Sequence, residues 1–383
     1  MKIPYSRQTI EADDVEAVSA ALVAPLITQG TSVPKFEEEF SRFVGARFSS
    51  ACSSGTAALI LAYKSLDIGP GSLVWTVPNS FVATANAALN CGAEVDFVDI
   101  DPFTWNISIA QLKEKLFNAR KQGRTPTLVA PVHFSGLSCD MESIAGLAKE
   151  FNFKVVEDAA HALGARYQNQ LVGNCRFSDA AIFSFHPVKT ITTGEGGMVV
   201  TNNESVAKNL NLFRTHGITK DRLLLSTIPE GEWYYEQIEL GWHFRLTDIQ
   251  AALGVSQLQK VERFCSARAN IVQRYLSAFK GTDLQVRDWP TLKNSAHHLF
   301  VVHLSSNSDR RAEIFAALRQ KEIGVQVHYI PIHFHPYYRK LGFSKGMFPN
   351  AESYYEGALS LPVYPSLSVE EQDFVINTLI NLL

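Results

Sequence analysis

The chain has 383 residues, 46% of them hydrophobic and 19% charged, and a formal net charge of −3. That is enough apolar material for a sizeable core, and without a long block of like charge the sequence excludes a polyanion-binding surface and gives no reason to expect nucleic acid as a partner. Its five cysteines (Cys52, Cys91, Cys139, Cys175, Cys265) are odd in number, widely spaced and free of any C-x-x-C pair, which excludes a disulfide framework and a zinc ribbon.

In chain order, the opening "MKIPYSRQTIEADD" has no apolar h-region and carries acidic residues early, so no signal peptide is expected. The run "ALVAPLI" is too short to cross a bilayer and is broken by Pro25, so a cytoplasmic, membrane-free protein is expected. From about residue 48 to 201, short apolar runs alternate with helix-like segments, the pattern of an α/β domain with a mainly parallel sheet. Strands are expected at 72–78, 93–100, 127–134, 153–158, 180–185 and 197–202. Helices are expected between them at 55–66, 81–92, 109–123 and 141–152. Several of these strands are apolar without alternation, as when helices cover both sheet faces. Near Leu246 the texture changes to a long amphipathic pattern over 246–279, opened by a Thr247–Gln250 capping box. The division expected is therefore a large domain over 1–245 and a smaller C-terminal α/β domain over 246–383, on which the N-terminal segment may also pack. The smaller domain should hold a strand at 297–304, a helix at 310–324 and a second strand at 325–334.

Ligands in parallel α/β sheets gather at the carboxyl ends of strands, and three features fall there. The stretch "CSSGTAAL" (52–59) opens an apolar helix with small hydroxyl residues and a glycine, which suits an anion at the helix N-terminus and equally a plain N-cap. In "FKVVEDAAHALG" (153–164), Glu157 and Asp158 close a strand and His161 follows. A carboxylate there either caps the next helix or pairs with a cationic ring nitrogen. Two unit charges ~4 Å apart at an effective dielectric of ~20 attract by about 4 kcal/mol, equivalent to roughly three pKa units. In "FSFHPVKTITTGEGG" (183–197), Lys189 follows a strand and precedes a glycine-rich turn. Taken alone such a lysine is a surface solubiliser, but a buried one can condense with an aldehyde.

Phosphate loop, strand-end aspartate and lysine in that order resemble the DegT-type nucleotide-sugar aminotransferases, fold-type I enzymes dependent on pyridoxal 5′-phosphate (PLP). The likeness runs end to end through "LITQG", "SSGTAAL", "NSFVATANAALNCGAEVDFVDID", "EDAAHALGA", "FSFHPVKTITTGEGGMVVTN", "FRTHGI", "FRLTDIQAALG" and "VQVHYIPIH". It implies a mainly parallel seven-stranded sheet in the large domain. It also implies Lys189 as the cofactor-bearing lysine, Asp158 as partner of the ring nitrogen, His161 near the 3′-oxygen and Phe81 stacked on the ring. Gly55, Thr56 and Ser184 would hold the phosphate. His243 of a partner subunit, in "GWHFR" where asparagine is usual, would complete the phosphate site of a homodimer. Within the family, the chain looks most like the branch serving pseudaminic acid biosynthesis. The implied substrates are L-glutamate and a UDP-linked keto-sugar, UDP-4-keto-6-deoxy-N-acetyl-β-L-altrosamine. Tyr5, Pro25, Leu26, Ile27, Thr28, His186, Gln326, Val327, His328, Tyr329 and Tyr338 would contact the nucleotide-sugar, although Tyr329 and Tyr338 could equally be packing residues.

Two rivals are weaker. A PLP-dependent sugar dehydratase would carry histidine where this chain keeps Lys189, and a non-catalytic regulator would not need the lysine, the aspartate and the phosphate loop together. The spacing of His328, His333 and His335 is no recognised metal pattern, so no metal is expected and these histidines read as a strand end followed by a solvated loop.

Overall fold

The structure is a computed structural model and describes residues 2–383. Its large sheet contains β1 (Phe48–Cys52), β2 (Leu73–Thr76), β3 (Glu94–Phe97), β4 (Leu128–Val129) and β5 (Lys154–Asp158). After a two-residue hairpin, β6 (Arg166–Tyr167) with β7 (Gln170–Leu171), it is completed by β8 (Ala180–Ser184) and β9 (Gly197–Thr201). The order across the sheet is β1-β9-β8-β5-β4-β2-β3, and β9 alone runs against its neighbours. The expected seven-stranded, mainly parallel sheet is present. The strand "FSSAC", broken by two serines, sits at an edge, where a continuous apolar run is not required.

Helices α1 (Ala12–Leu22), α2 (Ser32–Val44), α3 (Gly55–Ser65), α4 (Ala83–Asn90), α5 (Ile109–Lys121), α6 (Met141–Phe151) and α7 (Glu204–Arg214) accompany this sheet. α3 shows why a helix without a polar face forms here: Ala57 to Tyr63 are all buried, so it packs inside the domain rather than on its surface. Ser54 caps it by accepting from Ala57 N at 3.1 Å.

The single long helix expected over 246–279 is two, α8 (Asp248–Leu258) and α9 (Val261–Ala278). No proline or glycine marks the break at Gln259–Lys260. Tertiary charge does: the buried Lys260 amine lies 2.7 Å from both Asp13 and Asp14 of α1. The Thr247–Gln250 capping box opens α8 as read from the sequence. α8 packs on α2, with Ala251 and Leu258 in the same apolar cluster as Phe36 and Phe40, and that cluster runs on to Phe264. From Ile271 onward α9 belongs to a second core. The two cores therefore divide inside α9, while residue 245 marks where α8 is about to start.

Between the two parts lies the loop with β10 (Ile218–Thr219) and β11 (Glu236–Gln237). The smaller part contains α10 (Trp289–Leu292), β12 (Phe300–His303), α11 (Arg311–Gln320), α12 (Pro336–Lys340), α13 (Pro349–Gly357), β13 (Ala358–Leu361) and α14 (Val369–Ile380). Ile3 packs in its core and pairs with Ile323. One expectation is corrected. Residues 325–334 form no strand: only Gln326 bridges Ser360, and Pro331, with no N–H, cannot carry a ladder onward. The antiparallel partner of β12 is β13 instead.

Candidate active site

Asp158 is the last residue of β5, a central strand, and its carboxylate is buried. It accepts from Thr84 Oγ1 at 2.6 Å and from Ala160 N at 3.2 Å. Its neighbour Glu157 faces the other side of the sheet, as strand alternation requires, and lies 2.8 Å from His133 Nε2. The pleat thus decides which of two consecutive carboxylates meets the cavity. Thr84 was not legible as a site residue, although it stands three positions after Phe81 and so shares its side of the helix start.

Opposite this carboxylate is a pole suited to an anion. The first-turn N–H groups of Gly55 and Thr56 have no intrahelical acceptor, and they lie where the helix dipole is positive. Ser184 ends β8 directly against this turn. A methyl group on Gly55 would sit 2.8 Å from Ser184 Cβ, so only glycine allows the approach. The turn is clamped from behind as well, since a Cβ on Gly197 would fall 2.3 Å from the Ser54 carbonyl oxygen. Two of the glycines singled out in the sequence are thus explained by close backbone packing.

Lys189 lies in the turn after β8, its N–H donating to the His186 carbonyl at 2.8 Å. The loop beyond it is tied back to Phe185, whose carbonyl accepts from Thr193 N at 3.1 Å and Thr192 Oγ1 at 2.9 Å. Burial pushes the Lys189 amine down to about 8 against the opposing pull of Asp158. About a tenth of the amine is then neutral at pH 7, far more than for an ordinary lysine. His161 is held well below its ordinary value by burial and by the Lys189 charge, and His328 is pushed down to about 3 by the same two causes. Both imidazoles are therefore neutral.

These groups surround one cavity of about 520 Å³. Of the residues singled out in the sequence, Tyr5, Gly55, Thr56, Phe81, Asp158, His161, Ser184, His186, Lys189, His328 and Tyr329 line it. The Phe81 ring is 57% exposed, unusual for a phenylalanine and suited to stacking on a ligand. Glu195, Ser80 and Thr84 also line the cavity without having been anticipated.

The remaining residues lie elsewhere. Tyr338 is a packing residue: it is buried beside Phe97, and its hydroxyl donates to Asn86 Oδ1 at 2.6 Å. Gln326 is exposed and bridges Ser360, and neither it nor Val327 lines the cavity. Pro25, Leu26, Ile27 and Thr28 form an exposed loop after α1. His243 is exposed and stacks on His216 at 5.4 Å, outside the cavity of its own chain. The solvated-histidine reading is corrected for His333, which is fully buried with its Nε2 2.9 Å from Glu352.

Comparison with known proteins accords with this geometry. A model of the DegT/DnrJ/EryC1/StrS aminotransferase family matches residues 8–380. The spore coat polysaccharide biosynthesis protein SpsC of Bacillus subtilis is 39% identical over 381 residues, 98% of this chain and 95% of that protein. The UDP-4-amino-4,6-dideoxy-N-acetyl-beta-L-altrosamine transaminase of Campylobacter jejuni is 37% identical over 388 residues, covering 100% of this chain and 97% of that protein. Among solved structures, Helicobacter pylori PseC, an aminotransferase involved in the biosynthesis of pseudaminic acid, superposes with a TM-score of 0.91 at 32% identity, covering 100% of this chain and 99% of that one. Streptococcus pneumoniae Spr1654 in its PLP form gives 0.89 at 28% identity, over 100% and 98% of the two chains. The chain belongs to the DegT/DnrJ/EryC1/StrS aminotransferase family and is an aminotransferase.

Proposed function

We propose that this aminotransferase uses PLP to move the amino group of L-glutamate onto a 4-keto-6-deoxy nucleotide-sugar, with UDP-4-keto-6-deoxy-N-acetyl-β-L-altrosamine as its acceptor. One observation carries the reading: a single cavity joins a lysine held near neutrality, a buried carboxylate and an open helix N-terminus. The transaminase relative and PseC support the altrosamine acceptor, while the equal likeness to SpsC makes that choice the finer part of the proposal.

The residues fit the cofactor. Gly55, Thr56 and Ser184 form a cradle without side-chain bulk for a phosphate, Asp158 offers a carboxylate to a protonated ring nitrogen, and Phe81 offers an aromatic face. When bound, PLP supplies an aldehyde that condenses with amines and a ring that withdraws electrons. The protein's work is then positional and protonic. Thr84 and the Ala160 N–H orient the Asp158 carboxylate by donating to both of its oxygens. Lys189 Nζ, whose lowered pKa makes the neutral amine accessible, takes the proton from the donor's α-carbon and later returns one to the sugar carbon. Neutral His161 and His328 line the cavity without adding positive charge that would push the lysine down further.

The reading includes a cytoplasmic homodimer. Leu223, Ile228, Trp233 and Leu240, on the 218–242 loop, are each at least 71% exposed, a patch that calls for cover. His243 and Arg245 follow directly, and Arg245 forms no ion pair among the described residues. A second copy seated there would cover the apolar loop and bring His243 and Arg245 to its phosphate pole. No helix among the described residues is long and apolar enough to cross a membrane.

The test is a panel of 4-keto nucleotide-sugars with PLP and L-glutamate, following 2-oxoglutarate and the aminated sugar. Amination of the altrosamine-derived ketone in preference to the others is expected. Preference for another sugar overturns the acceptor, and no 2-oxoglutarate with any acceptor overturns the donor.

A further inference from the structure

Tyr329 lines the cavity, and its hydroxyl lies 3.1 Å from His161 Nε2. Which atom donates is decided on the other side of the imidazole. The Ser135 N–H points at His161 Nδ1 at 3.3 Å, and a backbone N–H can only donate. His161 Nδ1 is therefore an acceptor without a proton. A neutral imidazole with a bare Nδ1 carries its hydrogen on Nε2 and donates it to the Tyr329 oxygen. The tyrosine's own hydrogen is thereby turned away from the imidazole, and no protein acceptor meets it among the described residues. Burial raises the Tyr329 pKa above its ordinary value, so the hydroxyl keeps that hydrogen.

Ser135 is built for this task. It is buried and adopts φ 63°, a left-handed conformation uncommon for a residue with a side chain. Four bonds hold it there. Its carbonyl accepts from His298 N at 3.1 Å and Leu299 N at 3.4 Å, its Oγ donates to the Leu299 carbonyl at 2.7 Å, and its N–H meets His161. On one face of His161 lies the His298 ring, 4.3 Å away and itself buried, with Nδ1 unpartnered. Burial keeps both rings neutral, so His161 carries a single ring hydrogen, which the Ser135 N–H directs to Nε2.

We propose that Ser135, His161 and Tyr329 form a one-way hydrogen-bond relay in which the Ser135 N–H fixes His161 as its Nε2–H form and His161 makes Tyr329 a hydroxyl donor toward an anionic oxygen of the cavity's ligand. Ser135 and His161 are positioning residues and Tyr329 is the group that touches the ligand. The relay joins the loop after β4, the loop after β5 and the segment before α12, so the donor is correctly set only when the two parts of the chain are docked. Its role in turnover rests on the transaminase reading, whereas its direction does not.

The direction is read from histidine-labelled, cofactor-free protein by two-bond proton–nitrogen correlation spectra at pH 7, with the His161→Gln variant assigning the signal. His161 should be neutral with its proton on Nε2, in wild type and in Tyr329→Phe alike. A proton on Nδ1, or on both nitrogens, overturns the relay whatever the enzyme's substrate. Turnover gives the second measurement, in the half-reaction of the PLP-loaded enzyme with L-glutamate. Tyr329→Phe and His161→Ala should each lower the single-turnover rate constant about tenfold, the scale of one hydrogen bond, and the double variant should lose no more than the larger single one. Losses that multiply to about a hundredfold mean that the two residues act separately and overturn the coupling. A wild type inactive with every amino donor refutes the transaminase reading, while the spectra still decide the relay.

Discussion

The lysine proposed as the reactive group should also make the cofactor-free protein less stable. Lys189 is lowered from 10.5 to about 8 by burial, a difference of about 2.5 units. At ~1.36 kcal/mol per unit this is about 3 kcal/mol of charged-state penalty, and nearer 2 once the solvent reaching the half-buried side chain is allowed for. The sign follows from proton binding. Below pH 8 the amine is protonated in both folded and unfolded chains, and the fold bears the full penalty. Between 8 and 10.5 the unfolded chain binds more protons, so stability from this group rises with pH, and above 10.5 the penalty is gone. Lys189→Met, which keeps the bulk and drops the charge, should therefore raise the unfolding free energy of cofactor-free protein by about 2–3 kcal/mol at pH 7. The gain should shrink steadily toward pH 10.5. Urea unfolding of both proteins over that range measures it, since other groups titrate equally in both and cancel. A gain that is absent at pH 7, or does not vary with pH, would refute a buried, depressed amine.

Thr84→Val removes the 2.6 Å donor to Asp158 while keeping the shape. It should cost about 1–2 kcal/mol in transition-state stabilisation, seen as a roughly tenfold fall in kcat with L-glutamate and little change in fold. Asp158→Asn should be harsher, about a thousandfold, because the carboxylate's pull on a ring nitrogen is worth roughly three pKa units. Gly55→Ala places a methyl 2.8 Å from Ser184 Cβ, and titration with PLP should show affinity weakened at least tenfold in a protein that still folds. Paired substitution Trp233→Asp and Leu240→Asp on the exposed loop should shift the light-scattering mass from a dimer to a monomer and lower PLP affinity with it. A wild-type monomer with full activity would remove the need for a second copy.

The sequence by itself determined the order of the fold and the positions of its candidate reactive groups. Apolar runs without alternation specify strands covered on both sides, and strand ends place Asp158 and the turn that carries Lys189, whose roles the family resemblance implies. The Thr247–Gln250 cap was legible because it is satisfied within four residues. Tertiary structure decided whatever depends on a distant partner. The break at Lys260 answers to Asp13 and Asp14 some 250 positions earlier. "FSSAC" becomes a strand only because β9 presents a free edge. Tyr338 left the site for the core because Phe97 and Asn86 enclose it. Ser135, an ordinary serine in the sequence, acquires its role from a left-handed backbone held by Leu299, across 164 positions of chain. Local periodicity is written in neighbouring residues. The direction in which one hydroxyl donates is set only when three remote segments meet.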